Sequence, residues 1–155
     1  QEKGLRSGTE NIAAIIGFGK ACELSQKNVV RFGEEVKILQ SKLENALIKM
    51  GAIIFGKDSN RLSNTTFFSF KDIDGSTLLT ALDRKGFAVA SGSACSSNSG
   101  EPSHVLLAMN VDEEQAKSAL RVSLGVETTR EQIDDFIKAL RQELERLKQL
   151  TAVAA

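Results

Sequence analysis

The 155-residue sequence has no net charge, no long apolar stretch and only two cysteines. Its 20 basic and 20 acidic residues cancel and are interspersed along the chain. This balance argues against nucleic acid or an anionic membrane as a partner, because both usually require a basic excess. No stretch approaches the roughly 18–20 apolar residues that span a bilayer, and the first residues do not resemble a signal peptide. We therefore expect a globular, cytoplasmic protein.

The two cysteines, Cys22 and Cys95, are far apart in the sequence and have no metal-ligand spacing around them. Neither a disulfide framework nor a zinc site is expected, and a reducing compartment fits best. Cys22 lies among apolar residues at helical spacing, which predicts a core position. Gly17-Phe18-Gly19-Lys20 is superficially similar to a phosphate-binding loop. It lacks the required Ser or Thr after the lysine and a preceding strand, so we reject that interpretation.

Hydrophobic periodicity predicts the order α-α-β-β-α-β-α-α-β-α. Apolar spacing and end signals give helices over residues 9–28, 29–50, 75–86, 103–109 and 113–118, and a last helix after an N-cap at Thr129. Apolar or alternating runs give strands over residues 52–55, 64–70, 87–89 and 120–124. This order favours an α+β fold in which helices cover one face of a mixed sheet.

The least regular part of the sequence surrounds Cys95. Residues 90–102 read Ala-Ser-Gly-Ser-Ala-Cys-Ser-Ser-Asn-Ser-Gly-Glu-Pro. Small residues restrain the backbone weakly, so this segment is expected to be mobile and its thiol accessible. Composition alone leaves two interpretations open, a reactive thiol and an unremarkable small residue in a Gly/Ser loop.

Three motifs resemble NifS- and IscS-type cysteine desulfurases. Residues 91–97 followed by residues 101–106 are similar to the active-site loop of that family. Residues 120–125, Leu-Arg-Val-Ser-Leu-Gly, resemble its arginine-containing strand, and residues 4–9, Gly-Leu-Arg-Ser-Gly-Thr, resemble a phrase of its large domain. The three motifs have the family's order and spacing, and the resemblance as a whole extends over nearly the entire chain.

The resemblance implies a fold-type-I enzyme that binds pyridoxal 5'-phosphate and converts L-cysteine to L-alanine. Residues 1–28 would be the last helix of its large domain, residues 29–150 its small C-terminal domain, and residues 151–155 a tail. The sulfur would be held as a persulfide and passed to an acceptor or scaffold protein for iron–sulfur cluster and thio-cofactor assembly. The family resemblance also implies a homodimer.

By resemblance, Cys95 is the catalytic nucleophile and Arg121 binds the substrate carboxylate. Thr9 would reach the cofactor phosphate of the other subunit. Each residue also has a structural alternative: Arg121 could form a salt bridge, and Thr9 could cap the following helix. His104 is expected to be a capping or packing residue rather than a base.

The sequence departs from the family in two respects. It contains no His-Lys segment for the cofactor, so the chain alone is expected to hold no pyridoxal phosphate and to be inactive. Val126-Glu127 also stands where the family often has Arg-Phe. Two alternative functions stay open, a selenocysteine lyase or related class-V enzyme, and a free-standing sulfur carrier or redox sensor that uses Cys95 without a cofactor.

Overall fold

A computed structural model describes residues 2–91 and 101–154, with only the backbone described for residue 31 and residues 151–154. In this part of the chain, a short 3-10 turn (Glu2–Gly4) precedes the other elements. The helices are α1 (Ile12–Lys49), α2 (Gly75–Arg84), α3 (His104–Ala108), α4 (Glu113–Lys117) and α5 (Arg130–Ala154). The strands are β1 (Ala52–Ile54), β2 (Thr65–Phe70), β3 (Ala90–Ser91) and β4 (Leu120–Ser123).

The chain divides into two compact units, Gln1–Phe32 and Gly33–Ala155. In the first unit, every residue from position 2 to position 30 is exposed. The predicted core position of Cys22 is therefore wrong, because its thiol side chain is exposed. Helical spacing correctly grouped apolar residues around it, but it could not show whether anything covers that group.

Helix α1 is continuous where two helices were predicted. The expected break near residue 28 contains no proline, and a helix tolerates interior glycines at a cost of only about 1 kcal/mol each. The helix begins after Asn11, whose side-chain Oδ1 accepts a hydrogen bond from the Ala14 amide at 3.0 Å. Asn11, and not Thr9, is therefore the residue that caps α1.

The sheet has the order β1-β2-β4-β3, and all of its described strand pairs are antiparallel. The α+β class is confirmed, but the expected mixed sheet is wrong. Strands β2 and β3 run in the same direction, and β4 lies between them, so they never form a parallel pair. The third strand also lies later than expected, at Ala90–Ser91. Phe87 instead packs its ring edge-on against Phe136 of α5, with a centroid distance of 5.4 Å.

Two apolar layers form because β2 carries aromatic residues on both of its faces. The Thr66 and Phe68 side chains are buried on one face, where the Thr66 hydroxyl donates to the Glu44 carboxylate of α1 at 2.9 Å. Phe67, on the opposite face, packs against a smaller cluster that includes Leu106 of α3 and Ala116 of α4. The two short helices therefore cover the face opposite to α1, so the expectation that helices cover only one face is wrong.

Several helix ends follow the predicted signals. Gly51 and Gly86 have φ angles of 90° and 86° directly after α1 and α2, a conformation that favours glycine. Thr129 caps α5, as predicted: its Oγ1 accepts from the Gln132 amide at 3.3 Å, and its own amide donates to the Gln132 side chain at 2.9 Å. This reciprocal pair is a capping box.

Candidate functional site

Strand β4 carries Arg121, the predicted substrate-binding residue. Its residues alternate, so Leu120 and Val122 are buried on one face while Arg121 and Ser123 project from the other. Because β4 lies between β2 and β3, both of its edges have hydrogen-bonded neighbours. Pairing on both sides fixes the backbone from which the Arg121 side chain projects.

Two residues lie directly across from Arg121, Phe67 on β2 and Ala90 on β3. Opposite residues in antiparallel strands project from the same face, with Cβ atoms about 4.5–5.5 Å apart. Arg121 thus has an aromatic side chain on one side and a single methyl group on the other.

The Arg121 side chain is half-buried, and no described residue forms a hydrogen bond or ion pair with its guanidinium. Two other arginines of the second unit do have such partners: Arg61 contacts the Glu44 carboxylate at 2.7 Å, and Arg146 contacts that of Glu143 at 2.7 Å. A cation that loses water without gaining a partner is disfavoured. Arg121 is therefore a candidate to bind an anionic ligand, and the salt-bridge alternative finds no partner in the described part of the chain.

Phe67 is a neighbour of Arg121 that sequence reasoning missed. Its ring lies edge-on to that of Phe55, with centroids 5.5 Å apart and an interplanar angle of 70°. It also packs against the buried cluster formed with Leu106 and Ala116. The alternation within residues 64–70 marked Phe67 as a strand residue, but only the register of β2 on β4 brings it beside Arg121.

The predicted nucleophile, Cys95, and the rest of residues 92–100 lie outside the described residues. The expectations about an accessible thiol and a mobile loop fall on this segment. The chain enters it from Ser91, which pairs with Leu120, the residue before Arg121. The strand that leads toward Cys95 in sequence is therefore the neighbour of the strand that carries Arg121.

Thr9 lies in the first unit, in the irregular segment between the 3-10 turn and α1, and is exposed. Just before it, the Arg6 guanidinium donates to the Gly8 carbonyl oxygen at 2.8 Å. Since Asn11 caps the helix, the Thr9 hydroxyl is not needed for that structural role.

The described pockets do not fit pyridoxal phosphate on their own. That cofactor needs a lysine amine and cationic or amide groups around its phosphate. A cleft beside the start of α2 contains Lys71 and Lys117, but Lys117 pairs with Glu113 at 2.7 Å. The same cleft is lined by carboxylates that would repel a phosphate, those of Asp72, Asp74, Asp112 and Glu114. Two further pockets, one in the first unit and one beside the end of β4, contain no lysine.

His104 and possible metal ligands add little to this site. His104 is exposed at the start of α3, and the helix is capped by Ser103, whose Oγ accepts from the Leu106 amide at 3.5 Å. The expectation that His104 caps or packs is therefore wrong. Within residues 2–91 and 101–154, no cluster of His, Cys, Asp or Glu side chains could hold a metal ion. None of the helices described there is long and apolar enough to cross a membrane.

Comparison with known proteins identifies the family. The family model described as aminotransferase class-V matches residues 1–136. The chain therefore belongs to the aminotransferase class-V family.

Within that family, the chain is similar to cysteine desulfurases. It is 38% identical over 149 residues to the cysteine desulfurase of Bradyrhizobium diazoefficiens, covering 96% of this chain and 38% of that protein. It is 42% identical over 140 residues to the cysteine desulfurase NifS of Azotobacter vinelandii, covering 89% of this chain and 35% of that protein. The chain thus spans little more than a third of the length of these curated relatives.

The fold is also that of solved NifS-like structures. A NifS-like protein from Rickettsia africae superposes with a TM-score of 0.81 at 38% identity, covering 94% of this chain and 38% of that one. A second NifS-like protein gives a TM-score of 0.82 at 36% identity, covering 95% of this chain and 37% of that one. These similarities confirm the predicted resemblance and the α+β fold.

Proposed function

We propose that this chain is the C-terminal part of a pyridoxal-phosphate-dependent cysteine desulfurase. The whole enzyme would convert L-cysteine to L-alanine and hold the sulfur as a persulfide on Cys95. The observation that carries the proposal is the half-buried Arg121, which has no anionic partner among the described residues. The similarity to cysteine desulfurases along nearly the whole chain supports the same conclusion.

Arg121 would bind the α-carboxylate of L-cysteine. A guanidinium is planar and offers two parallel N–H donors, so it can meet both oxygens of a carboxylate at once. Its position on an inner strand supports this role, because the donors start from a fixed backbone. A lysine in its place would keep the charge but lose the paired geometry.

Cys95 would accept the sulfur. Its thiolate forms an S–S bond with the substrate sulfur while the substrate C–S bond breaks. The electron pair of the broken bond stays with carbon, which gains a proton, so L-cysteine and the enzyme thiol give L-alanine and an enzyme persulfide without an external oxidant. In the sequence, Cys95 follows four residues after Ser91, which lies on the strand beside Arg121.

The cofactor would be held mainly by parts of the enzyme outside this chain. Pyridoxal phosphate supplies the electron sink that lets the substrate bond break, and none of the described pockets combines a lysine with a site that suits its phosphate. We propose that Thr9 adds one hydroxyl contact to the cofactor phosphate of the other subunit. The chain alone should therefore be inactive and should lose the cofactor's visible absorbance on desalting.

We also propose a cytoplasmic homodimer that passes sulfur to an acceptor or an iron–sulfur scaffold protein. In the first unit, four apolar side chains are 57–73% exposed, those of Ile12, Ile15, Ile16 and Phe18. A group of exposed apolar side chains so close together in one helix is typical of a surface that another protein chain covers. Sedimentation of the chain should show self-association, and a monomer at high concentration would contradict this part of the proposal.

The decisive experiment uses the natural protein that carries this chain, expressed with all of its sequence. Cys95→Ala should abolish persulfide formation from L-cysteine, while Cys22→Ala, the matched control, should leave it intact. Arg121→Ala should raise KM for L-cysteine about 30-fold or more, which corresponds to about 2 kcal/mol for a lost charge-assisted contact. A full persulfide yield in Cys95→Ala would refute the proposal. Competition between cysteine and selenocysteine would identify a selenocysteine lyase.

A further inference from the structure

The cross-strand partner of Arg121 points to a further residue of this site. We infer that Phe67 is a positioning residue, which restrains the Arg121 side chain so that its guanidinium is ready for a carboxylate. This inference rests on the proposed function of Arg121 and goes beyond it by assigning a role to a residue that would not itself touch the substrate.

Among its direct cross-strand neighbours, Arg121 has a bulky side chain on one side only. Phe67 and Ala90 are its two direct cross-strand neighbours and share its face of the sheet. The methyl group of Ala90 is too short to flank the long arginine stem. The Phe67 side chain shares the face of Arg121 and, at the usual cross-strand spacing, is long enough to flank that stem.

Phe67 is itself held in place by its strand, by a neighbouring ring and by a buried cluster. Its carbonyl oxygen accepts a hydrogen bond from the Phe55 amide at 2.8 Å, and its ring lies edge-on to the Phe55 ring. Leu106 and Ala116, both at most 1% exposed, belong to the buried cluster against which it packs. A side chain held by strand pairing, a ring contact and a buried cluster can restrain its neighbour.

Ordering the Arg121 side chain costs conformational entropy. An arginine has many rotamers and loses a large side-chain entropy when they are fixed. No hydrogen bond or ion pair from a described residue fixes the Arg121 guanidinium. The ring of its cross-strand partner Phe67 is therefore the group that we infer restrains Arg121, and losing this ring would leave more of the ordering to be done when substrate binds.

The test compares two neighbouring phenylalanines. Phe67→Leu removes the ring beside Arg121 but keeps an apolar side chain in the cluster. Phe68→Leu is the matched control, because Phe68 lies on the opposite face of the same strand, is fully buried and pairs with Leu120. Both substitutions should lower thermal stability, so a loss of stability alone cannot distinguish them.

The first readout needs no enzyme activity. In the 155-residue chain, the 15N relaxation of the Arg121 Nε should show a lower order parameter in Phe67→Leu than in the wild type, and no change in Phe68→Leu. Equal order in all three proteins would overturn the inference, whatever reaction the whole enzyme catalyses.

The second readout is kinetic and uses the complete natural protein. Phe67→Leu should raise KM for L-cysteine about threefold to tenfold, with kcat changed less than about twofold. Phe68→Leu should leave KM unchanged. In an Arg121→Ala background, Phe67→Leu should have no further effect on kcat/KM, because the side chain that it restrains is gone.

The outcomes separate the two proposals. A Phe67→Leu effect that persists at full size without Arg121, or equal KM effects of the two phenylalanine variants, would overturn the positioning role. If Arg121→Ala itself leaves KM unchanged, the proposed substrate contact fails, and with it the role of Phe67 in substrate binding. The relaxation result would then still report whether Phe67 restrains Arg121.

Discussion

Replacing Gly75 by alanine tests the close contact between the start of α2 and the end of α4. A Cβ atom built on Gly75 would lie 2.5 Å from the Ser118 carbonyl oxygen and 2.7 Å from its carbonyl carbon, where ordinary contacts begin at 3.4 Å. Both atoms belong to the backbone, so no side-chain rotation can relieve the overlap. Either α2 or α4 must move.

The expected magnitude follows from two opposing effects. Alanine is favoured over glycine in a helix by about 1 kcal/mol. Forcing an extra carbon into a packed site costs about 1–3 kcal/mol, and an overlap of nearly an ångström with backbone belongs at or beyond the upper end of that range. We expect a net loss of about 1–2 kcal/mol, which for a chain of this size lowers Tm by roughly 2–8 °C.

The control is Gly33→Ala, in the interior of α1. A Cβ there would meet no atom of the described residues within 4 Å, and no positive φ angle is recorded for this glycine. The same change should therefore raise the free energy of unfolding by up to about 1 kcal/mol. Urea titrations followed by circular dichroism compare the two variants. If Gly75→Ala matches or exceeds the stability of the wild type while Gly33→Ala behaves as expected, the described packing of α2 on α4 is incorrect.

Three further predictions concern single side chains. The Ser69 hydroxyl is buried without a hydrogen-bond partner among the described residues, so Ser69→Ala should be neutral or stabilise the fold by up to about 1 kcal/mol, and a loss above that size in a urea titration would indicate a partner. The pKa of Glu143 is lowered from its ordinary value of 4.5, chiefly by the hydrogen bond from Arg146, so the pair stabilises the fold fully above that pH and loses its contribution as the pH falls through the lowered pKa. Unfolding titrations from pH 6 to pH 3 (about the range of carboxylate titration) should show a shallower decline for Glu143→Gln than for the wild type, and parallel declines would contradict the assignment. Cys22 is exposed, so an alkylating reagent should label it at the rate of a free thiol, and slow labelling that accelerates on dilution would show that self-association covers it.

Much of the local structure could be predicted because its causes are local. Helix α5 and its capping box depend on side chains three and four positions apart, and the glycines after α1 and α2 depend on single backbone angles. The family could also be recognised from three short motifs that a sequence displays directly. The predicted division of α1 into two helices was wrong, because nothing in the sequence near residue 28 ends a helix.

Tertiary structure decided which strands are neighbours. Strand β3 follows β2 in the sequence, but in the sheet β4 lies between them. Every described strand pair is therefore antiparallel. Strand register depends on how well the side chains of distant segments pack against each other. A local sequence pattern does not describe that packing. The register of β2 on β4 is what places Phe67 directly across from Arg121.

For the site, the sequence by itself determined the residue types: a thiol in a loop of small residues, an arginine on an alternating strand, and a threonine before the first long helix. Only the tertiary structure decided that Arg121 is half-buried without a described counter-ion, that Asn11 and not Thr9 caps α1, and that Cys22 is exposed. Burial and pairing are properties of contacts between segments far apart in the chain. The chemical groups can therefore be read from the sequence, whereas their availability for chemistry is set by what the fold places next to them.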